Sequence, residues 1–407
     1  MKCGLLGRKL GHSYSPQIHA LLGNYSYQLF EKEPEEIGDF LKNGDFTGLN
    51  VTIPYKKEVI PFLDELSPAA ARLGAVNTIV RRDGKLIGHN TDYFGFRWLV
   101  QESGLQVAGK KALVLGSGGA SSTAAAVLQE LGATVIVISR SGENNYGNLD
   151  RHADAAVIAN TTPVGMYPNT GKSALSLEGF PRLEGVLDAV YNPARTQILL
   201  DAERRGLAAV NGLWMLVAQA KESAEWFTGE EIPDSRIAKI HHALRLQMEN
   251  IILIGMPGCG KTAVGQQLAQ KLGKKFVDAD ESLEARVCRK ITDIIPNDGE
   301  AAFREMESET LAELGKQSGL VIATGGGCVT QPQNYPLLHQ NGTIFWLKRE
   351  LDKLPTDGRP LSQKGTLGQM YEARMPLYLR FADAAISNDG SITETASAIC
   401  RKLEETT

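Results

Sequence analysis

The residues with the clearest chemical signature form a glycine-rich run at positions 255–262, Gly-Met-Pro-Gly-Cys-Gly-Lys-Thr, between a short apolar stretch and a helical pattern. Glycines let backbone N–H groups face phosphate oxygens, and a helix N-terminus favours anions. The run predicts a P-loop whose turn is shaped by Gly258 and Gly260. Lys261 is expected to contact the terminal phosphates of ATP, and Thr262 to bind Mg²⁺.

A second glycine-rich turn follows another apolar run and opens a helical pattern, which predicts a dinucleotide site with its pyrophosphate at the helix N-terminus. The next apolar run ends in Ser139 and Arg140, where an NAD site usually carries an acid for the ribose 2′-hydroxyl. Arg140 therefore favours NADP(H). The residues expected at this cofactor are Gly116, Gly118, Gly119, Ala120, Ser139 and Arg140.

Three apolar runs, each leading into a glycine-rich turn and then a helical pattern, must position these loops. Strand, glycine turn and helix in that order are typical of a parallel α/β unit. We expect three such blocks, at residues 1–100, 101–235 and 249–407, with helices of about 213–240 returning to the first block. An amphipathic helix is predicted at 237–248, near the junction.

The composition excludes several classes of partner. The net charge of −4 leaves no basic footprint for nucleic acid and no polybasic patch for a membrane surface. Five scattered cysteines without a C-x-x-C pair indicate reduced thiols rather than a disulfide frame or a zinc site. No apolar signal region or run of 18 apolar residues is present, so we expect a cytoplasmic protein that acts on small molecules. A homodimer is compatible with the sequence.

Five ordered motifs accompany the P-loop. They are 276–280 (FVDAD), 303–307 (FREME), 323–327 (ATGGG), 359–361 (RPL) and 374–378 (RMPLY). Together they resemble shikimate kinase across residues 250–407. A lone arginine would more often form a surface ion pair, whereas the ordered set favours a substrate site. The stretch that leads to Arg359 is shorter than the family's approach to its lid.

The kinase resemblance implies a role for each motif. Asp278 would hold Mg²⁺ through water, and Asp280 would bind the substrate hydroxyls and orient or deprotonate the attacking one. Arg304 and Arg374 would clamp the substrate carboxylate with planar guanidinium groups. The remaining implied residues are Gly326, which would let backbone amides approach the substrate, and Arg359, which would stabilise the transferring phosphoryl group from the lid.

Six ordered motifs in the first part of the chain resemble shikimate dehydrogenase, from residue 1 to about 240. They are 11–16 (GHSYSP), 50–56 (NVTIPYK), 74–78 (GAVNT), 90–92 (NTD), 160–166 (NTTPVGM) and 215–219 (MLVAQ). The family normally has Asn-Arg-Thr where this chain has Ser139-Arg140-Ser141. Residues 142–154 also leave no room for the usual helix and its second basic contact to the cofactor phosphate.

The dehydrogenase resemblance implies a polar pocket for a polyhydroxylated ring acid. Lys56 and Asp92 would handle the proton, since a cation stabilises a developing alkoxide and a carboxylate fixes the cation. The other implied residues are Ser13 and Ser15 at the substrate carboxylate, Thr52, Asn77, Asn90 and Gln219 at the ring hydroxyls, and Gly212 and Met215 near the nicotinamide.

The expected fold is therefore α/β: a substrate domain like that of shikimate dehydrogenase, a Rossmann NADP domain, and a P-loop kinase domain. The expected function is reduction of 3-dehydroshikimate with NADPH, followed by phosphorylation of shikimate with ATP and Mg²⁺. Two alternatives stay open. One is an NAD-dependent quinate or shikimate dehydrogenase fused to the kinase, and the other is a non-catalytic metabolite sensor.

Overall fold

The computed structural model describes residues 1–11, 13–354 and 364–405. Within them the chain divides into two compact units. The first comprises Met1–Gly165, Lys172–Tyr191 and Ile198–Ala243, and the second comprises Met166–Gly171, Asn192–Gln197 and the part from Leu244 onward. Among the described residues the strands form three sheets, which matches the expected number of α/β blocks.

The first sheet is mixed rather than wholly parallel. Its elements are β1 (Lys2–Gly7), α1 (Ser15–Leu22), β2 (Ser26–Glu31), α2 (Ile37–Asn43), β3 (Gly48–Val51), β4 (Glu65–Leu66), α3 (Pro68–Leu73), β5 (Thr78–Arg82), β6 (Lys85–His89) and α4 (Asp92–Glu102). The strand order is β2-β1-β3-β5-β6-β4. β5 pairs antiparallel with both β3 and β6.

The reason for the antiparallel pair is the two-residue turn between β5 and β6. Asp83 and Gly84 both have positive φ, 51° and 79°. This is the conformation of the tight turns that connect adjacent antiparallel strands, and Asp-Gly favours it. Our expectation of a parallel unit held for β1, β2 and β3 but was wrong for this hairpin.

The second sheet is parallel throughout. Its elements are β7 (Lys111–Leu115), α5 (Gly119–Glu130), β8 (Thr134–Ile138), β9 (Val157–Asn160), β10 (Gly185–Asp188), α6 (Gln197–Arg204), β11 (Ala208–Val210) and α7 (Leu213–Thr228). The order β11-β10-β9-β7-β8 places β7 between the two strands that follow it in sequence. Connections leave β7 in opposite directions, which opens a ligand crevice at its carboxyl end.

The third sheet is also parallel, in the order β13-β14-β12-β15-β16. After α8 (Ser235–Met248) its elements are β12 (Asn250–Ile254), α9 (Lys261–Leu272), β13 (Lys275–Asp278), α10 (Ala279–Val287), α11 (Ile291–Lys316), β14 (Leu320–Ala323), α12 (Asn334–His339), β15 (Gly342–Lys348), α13 (Lys364–Phe381), β16 (Ala384–Ser387) and α14 (Ile392–Glu405). The central strand β12 is buried along its whole length. A strand buried on both faces needs the continuous apolar run seen in its sequence.

Helices α4 and α7 pack closely, and this contact joins the start of α4 to the first half of α7. A Cβ at Gly95 would lie 2.6 Å from the Met215 carbonyl oxygen and 3.0 Å from the Gln219 Cβ. Only glycine fits this approach without displacement. The return of α7 to the first block was predicted, and α7 does contact α1, β3 and β5.

The end of α8 is fixed by Lys274, which follows α9. The Lys274 Nζ donates to the carbonyl oxygens of Leu246, Gln247 and Glu249 at 2.7, 3.0 and 2.8 Å. A cation at a helix C-terminus satisfies carbonyls that have no partner within the helix. The amphipathic helix predicted at 237–248 therefore forms and is capped by a residue that follows the P-loop helix.

Among the described residues, no helix is both long and apolar enough to cross a membrane.

Candidate active sites

An ion pair lies at the centre of the first candidate site. The Lys56 Nζ is 2.5 Å from the Asp92 Oδ2, and the side chains are 23% and 8% exposed. Lys56 lies in the turn after β3, whereas Asp92 is the first residue of α4. The structure thus brings together the two residues expected to handle a proton. A lysine held this way can donate a proton while its partner fixes its position.

Buried amides surround this pair. The Asn77 Nδ2 donates to the Thr91 Oγ1 at 3.0 Å and lies 3.4 Å from the Gln219 Oε1, and its Oδ1 accepts from the Thr91 N–H. The Asn90 Nδ2 donates to the Ala75 carbonyl at 2.9 Å. The Asn90 Oδ1 is buried and has no hydrogen-bond partner among the described residues. Such an acceptor fits a hydroxyl of a bound ligand, because leaving it unpaired is unfavourable.

A cluster of hydroxyl groups that the sequence did not reveal contacts these amides. The Ser223 Oγ lies 2.8 Å from the Thr78 Oγ1 and 2.9 Å from the Thr91 Oγ1, and it accepts from the Asn50 Nδ2 at 2.8 Å. These side chains come from β3, β5, α4 and α7, so no local pattern connects them. The network restricts the orientation of the amides that face the pocket.

The serines and threonine assigned to the same pocket lie near the ends of β1 and β3. Ser15, at the start of α1, is buried, and its N–H donates to the Ser13 Oγ at 3.2 Å. Thr52 directly follows β3, is half-buried, and donates its N–H to the Leu6 carbonyl at 2.9 Å. The carboxyl ends of neighbouring parallel strands meet at one edge, so β1 and β3 deliver these residues to the same region.

The dinucleotide loop lies at the carboxyl end of β7. Gly116 has φ +117°, and a Cβ there would lie 2.9 Å from the Thr161 Oγ1, so both conformation and space require glycine. Apart from the neighbouring backbone, no atom of the described residues would lie within 4 Å of a Cβ at Gly118, and at Gly119 only the Ala75 Cβ would, at 3.8 Å. With Ala120 in the first turn of α5, this open helix start fits a pyrophosphate.

Gly212 and Met215 belong to the same edge of this sheet. Gly212 caps α7, and its N–H donates to the Val190 carbonyl at 3.0 Å, just beyond β10. Met215 is buried on the first turn of α7, and its carbonyl faces Gly95 of α4. The expectation that both residues lie near the nicotinamide stays a prediction.

The turn after β8 carries the residues expected at the adenosine 2′-phosphate. Arg140 is exposed and makes no ion pair with another described residue. The Ser139 N–H donates to the Asn144 carbonyl at 3.2 Å, which closes a short turn. No α-helix forms within 142–154; a 3₁₀ turn at Leu149–His152 takes its place, as the sequence predicted. Arg140 is thus available to an anionic phosphate group.

The P-loop of the second site joins β12 to α9. Gly255, Gly258 and Gly260 have positive φ values of 147°, 80° and 95°. The buried Lys261 Nζ donates to the carbonyls of Gly255 at 2.9 Å and Met256 at 3.0 Å. The loop therefore holds its lysine through backbone oxygens, and the N–H groups at the start of a helix such as α9 suit phosphate binding.

The residues expected to hold Mg²⁺ are adjacent. The Thr262 Oγ1 donates to the Asp278 Oδ2 at 2.9 Å, and the Asp278 Oδ1 accepts from the Asp280 N–H at 3.0 Å. A hydroxyl, a carboxylate and phosphate oxygens form the all-oxygen donor set that Mg²⁺ prefers, with water completing the shell. Among the described residues, no cluster of three His, Cys, Asp or Glu side chains forms a metal site by itself.

Asp280 is the candidate base of this site. Burial raises its pKa, the neighbouring Asp278 adds to the rise, and Lys261 and Arg304 oppose it. A carboxylate with a raised pKa is a stronger base toward a hydroxyl proton.

The carboxylate clamp is partly assembled. The Arg304 Nη1 lies 2.8 Å from the Glu307 Oε2, and its Nη2 lies 3.0 Å from the Glu300 Oε1. The Arg374 Nη1 donates to the Gly326 carbonyl at 3.2 Å. Burial raises the pKa of Glu307. The structure brings Arg304 and Arg374 together at the 325–327 glycine run. It adds Glu307, which the FREME motif contained without our assigning it a role.

Asn388 holds the P-loop and was missed in the sequence. Its Nδ2 donates to the Cys259 carbonyl at 2.6 Å, and its Oδ1 accepts from the Thr395 Oγ1 at 2.7 Å. The residue lies 129 positions from Cys259, just after β16, so only the fold connects them. Arg359, expected on a lid, lies outside the described residues.

Two family models match the chain. The one described as "Shikimate dehydrogenase substrate binding domain" matches residues 5–79, and the one described as "Shikimate kinase" matches residues 257–404. The first segment includes β2 and β3 of the first sheet, and the second runs from Pro257 of the P-loop into α14.

Several relatives match the first part of this chain along almost their whole length. A Clostridium perfringens shikimate dehydrogenase (NADP(+)) is 37% identical over 264 residues, covering 60% of this chain and 97% of the relative. The crystal structure of shikimate dehydrogenase 1 from Peptoclostridium difficile is 38% identical with a TM-score of 0.56, covering 60% and 98% of the two chains. A chorismate mutase/shikimate 5-dehydrogenase fusion protein from Clostridium acetobutylicum is 36% identical with a TM-score of 0.57, covering 60% and 96%.

Proposed function

The chain belongs to the shikimate dehydrogenase family and carries a shikimate kinase domain, and we propose that it performs two consecutive reactions with the residues described above. The first reduces 3-dehydroshikimate to shikimate with NADPH. The second transfers a phosphoryl group from ATP to the hydroxyl that the first reaction creates, giving shikimate 3-phosphate. The observation that carries this proposal is that one chain brings together two sets of reactive side chains: Lys56 with Asp92 for proton transfer, and Lys261 with Asp278 and Asp280 for phosphoryl transfer.

In the reduction, Lys56 is the acid. NADPH, when bound, supplies the hydride to the ring carbonyl carbon. The Lys56 ammonium donates its proton to the carbonyl oxygen as negative charge develops there. Asp92 holds the lysine at 2.5 Å throughout, and the 23% exposure of Lys56 lets solvent return the proton afterwards.

The ring is oriented by the amide pocket. Asn90 offers its unpaired Oδ1 to a ring hydroxyl, while Asn77 and Gln219 are held by the hydroxyl cluster. Ser13 and Ser15 bind the substrate carboxylate beyond β1. Because the amide orientations are fixed before the substrate arrives, little ordering is needed on binding.

In the phosphorylation, Asp280 accepts the proton of the attacking hydroxyl, and Arg304 and Arg374 hold the carboxylate. Lys261 and the amides at the start of α9 bind the phosphates of ATP. Thr262 and Asp278 would hold Mg²⁺, which when bound neutralises phosphate charge. Arg359, which lies outside the described residues, would stabilise the transferring phosphoryl group in this proposal.

The proposal also covers the domain boundaries and the cellular compartment. We assign residues 1–100 and about 213–240 to a substrate domain, 101–235 to the Rossmann domain and 249–407 to the kinase domain. The five cysteines are free thiols, which supports a reducing compartment, the cytoplasm.

The test is one mixture of the protein with 3-dehydroshikimate, NADPH, Mg²⁺ and ATP, in which NADPH loss and shikimate 3-phosphate are both followed. Both should change. Accumulation of shikimate alone would contradict the kinase assignment, and no turnover by folded protein would favour a metabolite sensor. Replacing the substrates with quinate and NAD tests the remaining alternative, for which we expect a much lower rate.

A further inference from the structure

Glu222 is a buried carboxyl that the mechanism above does not use. It lies on α7 between Lys221 and Ser223, one turn beyond Gln219. Its Oε2 is buried and has no hydrogen-bond partner among the described residues. A buried carboxyl oxygen without a partner is unfavourable and calls for an explanation.

The packing of α7 on α4 directs this residue toward the start of α4. The Ser223 Oγ is 2.9 Å from the Thr91 Oγ1, and the Lys221 Nζ lies over the Phe94 ring at 5.5 Å. These contacts place residues 221–223 beside Thr91 and Phe94. Glu222 lies one turn beyond Gln219, whose Cβ approaches Gly95, so it shares the face of α7 that packs on α4. The close approach at Gly95 keeps the two helices in this register.

Asp92 is the link from Glu222 to the reacting atoms, because it binds Lys56 at 2.5 Å. Any charge placed beside Asp92 changes how strongly the pair attracts a proton. We propose that Glu222 is a positioning residue for the dehydrogenase reaction, whose carboxyl charge sets how tightly the Lys56–Asp92 pair holds its proton. This inference rests on the proposed function of the first site.

The charge state of Glu222 supports the assignment. Burial raises its pKa to about 8, with Glu225 and Asp92 adding to the rise and Lys221 opposing it. At neutral pH the residue is protonated, so one carboxylate faces Lys56. Above pH 8 a second negative charge appears near the pair, and negative charge stabilises a nearby cation.

The titratable groups of the other elements packed on α7 contact residues of α7 other than Glu222. The His19 ring of α1 lies against Phe227, with ring centroids 5.7 Å apart. The Arg82 Nη2 of β5 donates to the Trp226 carbonyl at 2.9 Å. Lys221 binds Glu225 at 2.7 Å and Asp234 at 2.9 Å, so its charge is balanced independently. Asp92 is thus the active-site group on which Glu222 acts.

The test compares pH profiles of the wild type and the Glu222→Gln variant from pH 6 to 10, for 3-dehydroshikimate reduction and for shikimate oxidation. A permanently neutral side chain cannot support the ammonium at high pH. The alkaline loss of reduction kcat should therefore move to lower pH by roughly half a unit or more, while KM changes less than about twofold. Glu102→Gln, on the exposed far end of α4, should leave the profile unchanged.

Two further measurements separate this role from packing. Glu222→Asp keeps a titrating carboxyl and should retain the wild-type profile shape. In thermal unfolding, the raised pKa means that wild-type stability falls as pH rises from about 4.5 to 8, and Glu222→Gln should lose that slope. Wild-type protein without dehydrogenase activity would overturn the proposed function and this inference together. An active wild type whose profile coincides with that of Glu222→Gln, or Glu222→Asp matching Glu222→Gln, overturns the inference alone.

Discussion

The two candidate sites each depend on a lysine, but they hold it in opposite ways. Lys56 is partly exposed and pairs with a buried carboxylate at 2.5 Å. Lys261 is 8% exposed and donates to two backbone carbonyls, those of Gly255 and Met256. The first lysine must lose and regain a proton, whereas the second must stay charged.

The surroundings of each lysine match the task that we propose for it. A carboxylate partner with access to solvent allows proton exchange, since the partner stabilises the cation and water can replace the proton. Carbonyl oxygens fix a cation without neutralising it, so the full positive charge stays available to phosphate. The pocket around Lys56 is accordingly built from amides and hydroxyls, and the one around Lys261 from glycine backbone.

The sharpest test of this contrast exchanges each lysine for methionine. Lys56→Met should lower dehydroshikimate reduction by roughly 10³-fold or more and spare the kinase, because the acid is lost. Lys261→Met should do the reverse by a similar factor, because the phosphate contact is lost. Both activities are measured on the same preparation.

Matched controls are available beside each lysine. Lys57 is exposed next to Lys56, and Lys271 is exposed on the same helix as Lys261. Lys57→Met and Lys271→Met should leave both activities within about twofold. Loss of both activities in either active-site variant, with folding intact, would contradict two independent sites.

A second prediction concerns the cofactor of the first site. Arg140→Ser removes the cation after β8, so the preference for NADPH over NADH, as a ratio of kcat/KM, should fall by roughly 10- to 100-fold. Arg182→Ser changes an exposed arginine of the same sheet region and serves as the control. An unchanged ratio would show that other groups read the 2′-phosphate.

A third prediction concerns the shape of the phosphate loop. Asn388→Ala removes the hydrogen bond to the Cys259 carbonyl, so KM for ATP should rise by roughly tenfold, with KM for shikimate and the dehydrogenase unchanged. Ser387→Ala alters the exposed neighbour and should have no effect. A rise in KM for both kinase substrates would instead indicate a general loss of structure.

The smallest predicted effect is on stability in acid. Burial lowers the pKa of His89 to about 4, helped by Arg82, and its ring stacks on Trp226 with centroids 3.7 Å apart. The neutral ring is favoured above the unfolded pKa of about 6.5, and this stability is lost as pH falls toward 4. Between pH 7.5 and 5, His89→Gln should lose about 2 kcal/mol less than the wild type.

Calorimetric unfolding at the two pH values gives this difference directly. Because the comparison is made within each variant, any pH-independent cost of removing the ring cancels. Equal losses in the wild type and His89→Gln would mean that the ring has the same pKa in the folded and unfolded states.

Local patterns predicted the parts of this molecule that local geometry determines. The glycine run before Lys261 needs only a strand, a turn and a helix in sequence, and it formed where expected. Arg140 follows a predicted strand, so its position just beyond the end of that strand could be predicted from the sequence alone. The Asp83–Gly84 turn carried an equally local signal that we did not use, and the antiparallel hairpin was missed for that reason.

Long-range contacts could not be predicted in this way. Ser223 and Thr91 are 132 residues apart, and the bond between them depends on how α7 packs on α4. Asn388 reaches Cys259 from the opposite end of the second unit's sequence. Neither residue belongs to a motif with chemical meaning alone, so only the folded chain shows what each one touches.

The capping of α8 by Lys274 determines where the chain can be cut. Burial lowers the pKa of Lys274 to about 8. A kinase fragment started at residue 249 would lose the Leu246 and Gln247 carbonyls and leave this amine short of acceptors. A fragment started at Ser235 keeps the helix and all three acceptors. The excisable module thus begins before residue 249, at or upstream of Leu244, where the second unit begins in this part of the chain. Its recovery by limited proteolysis should depend on the last turn of α8 remaining attached.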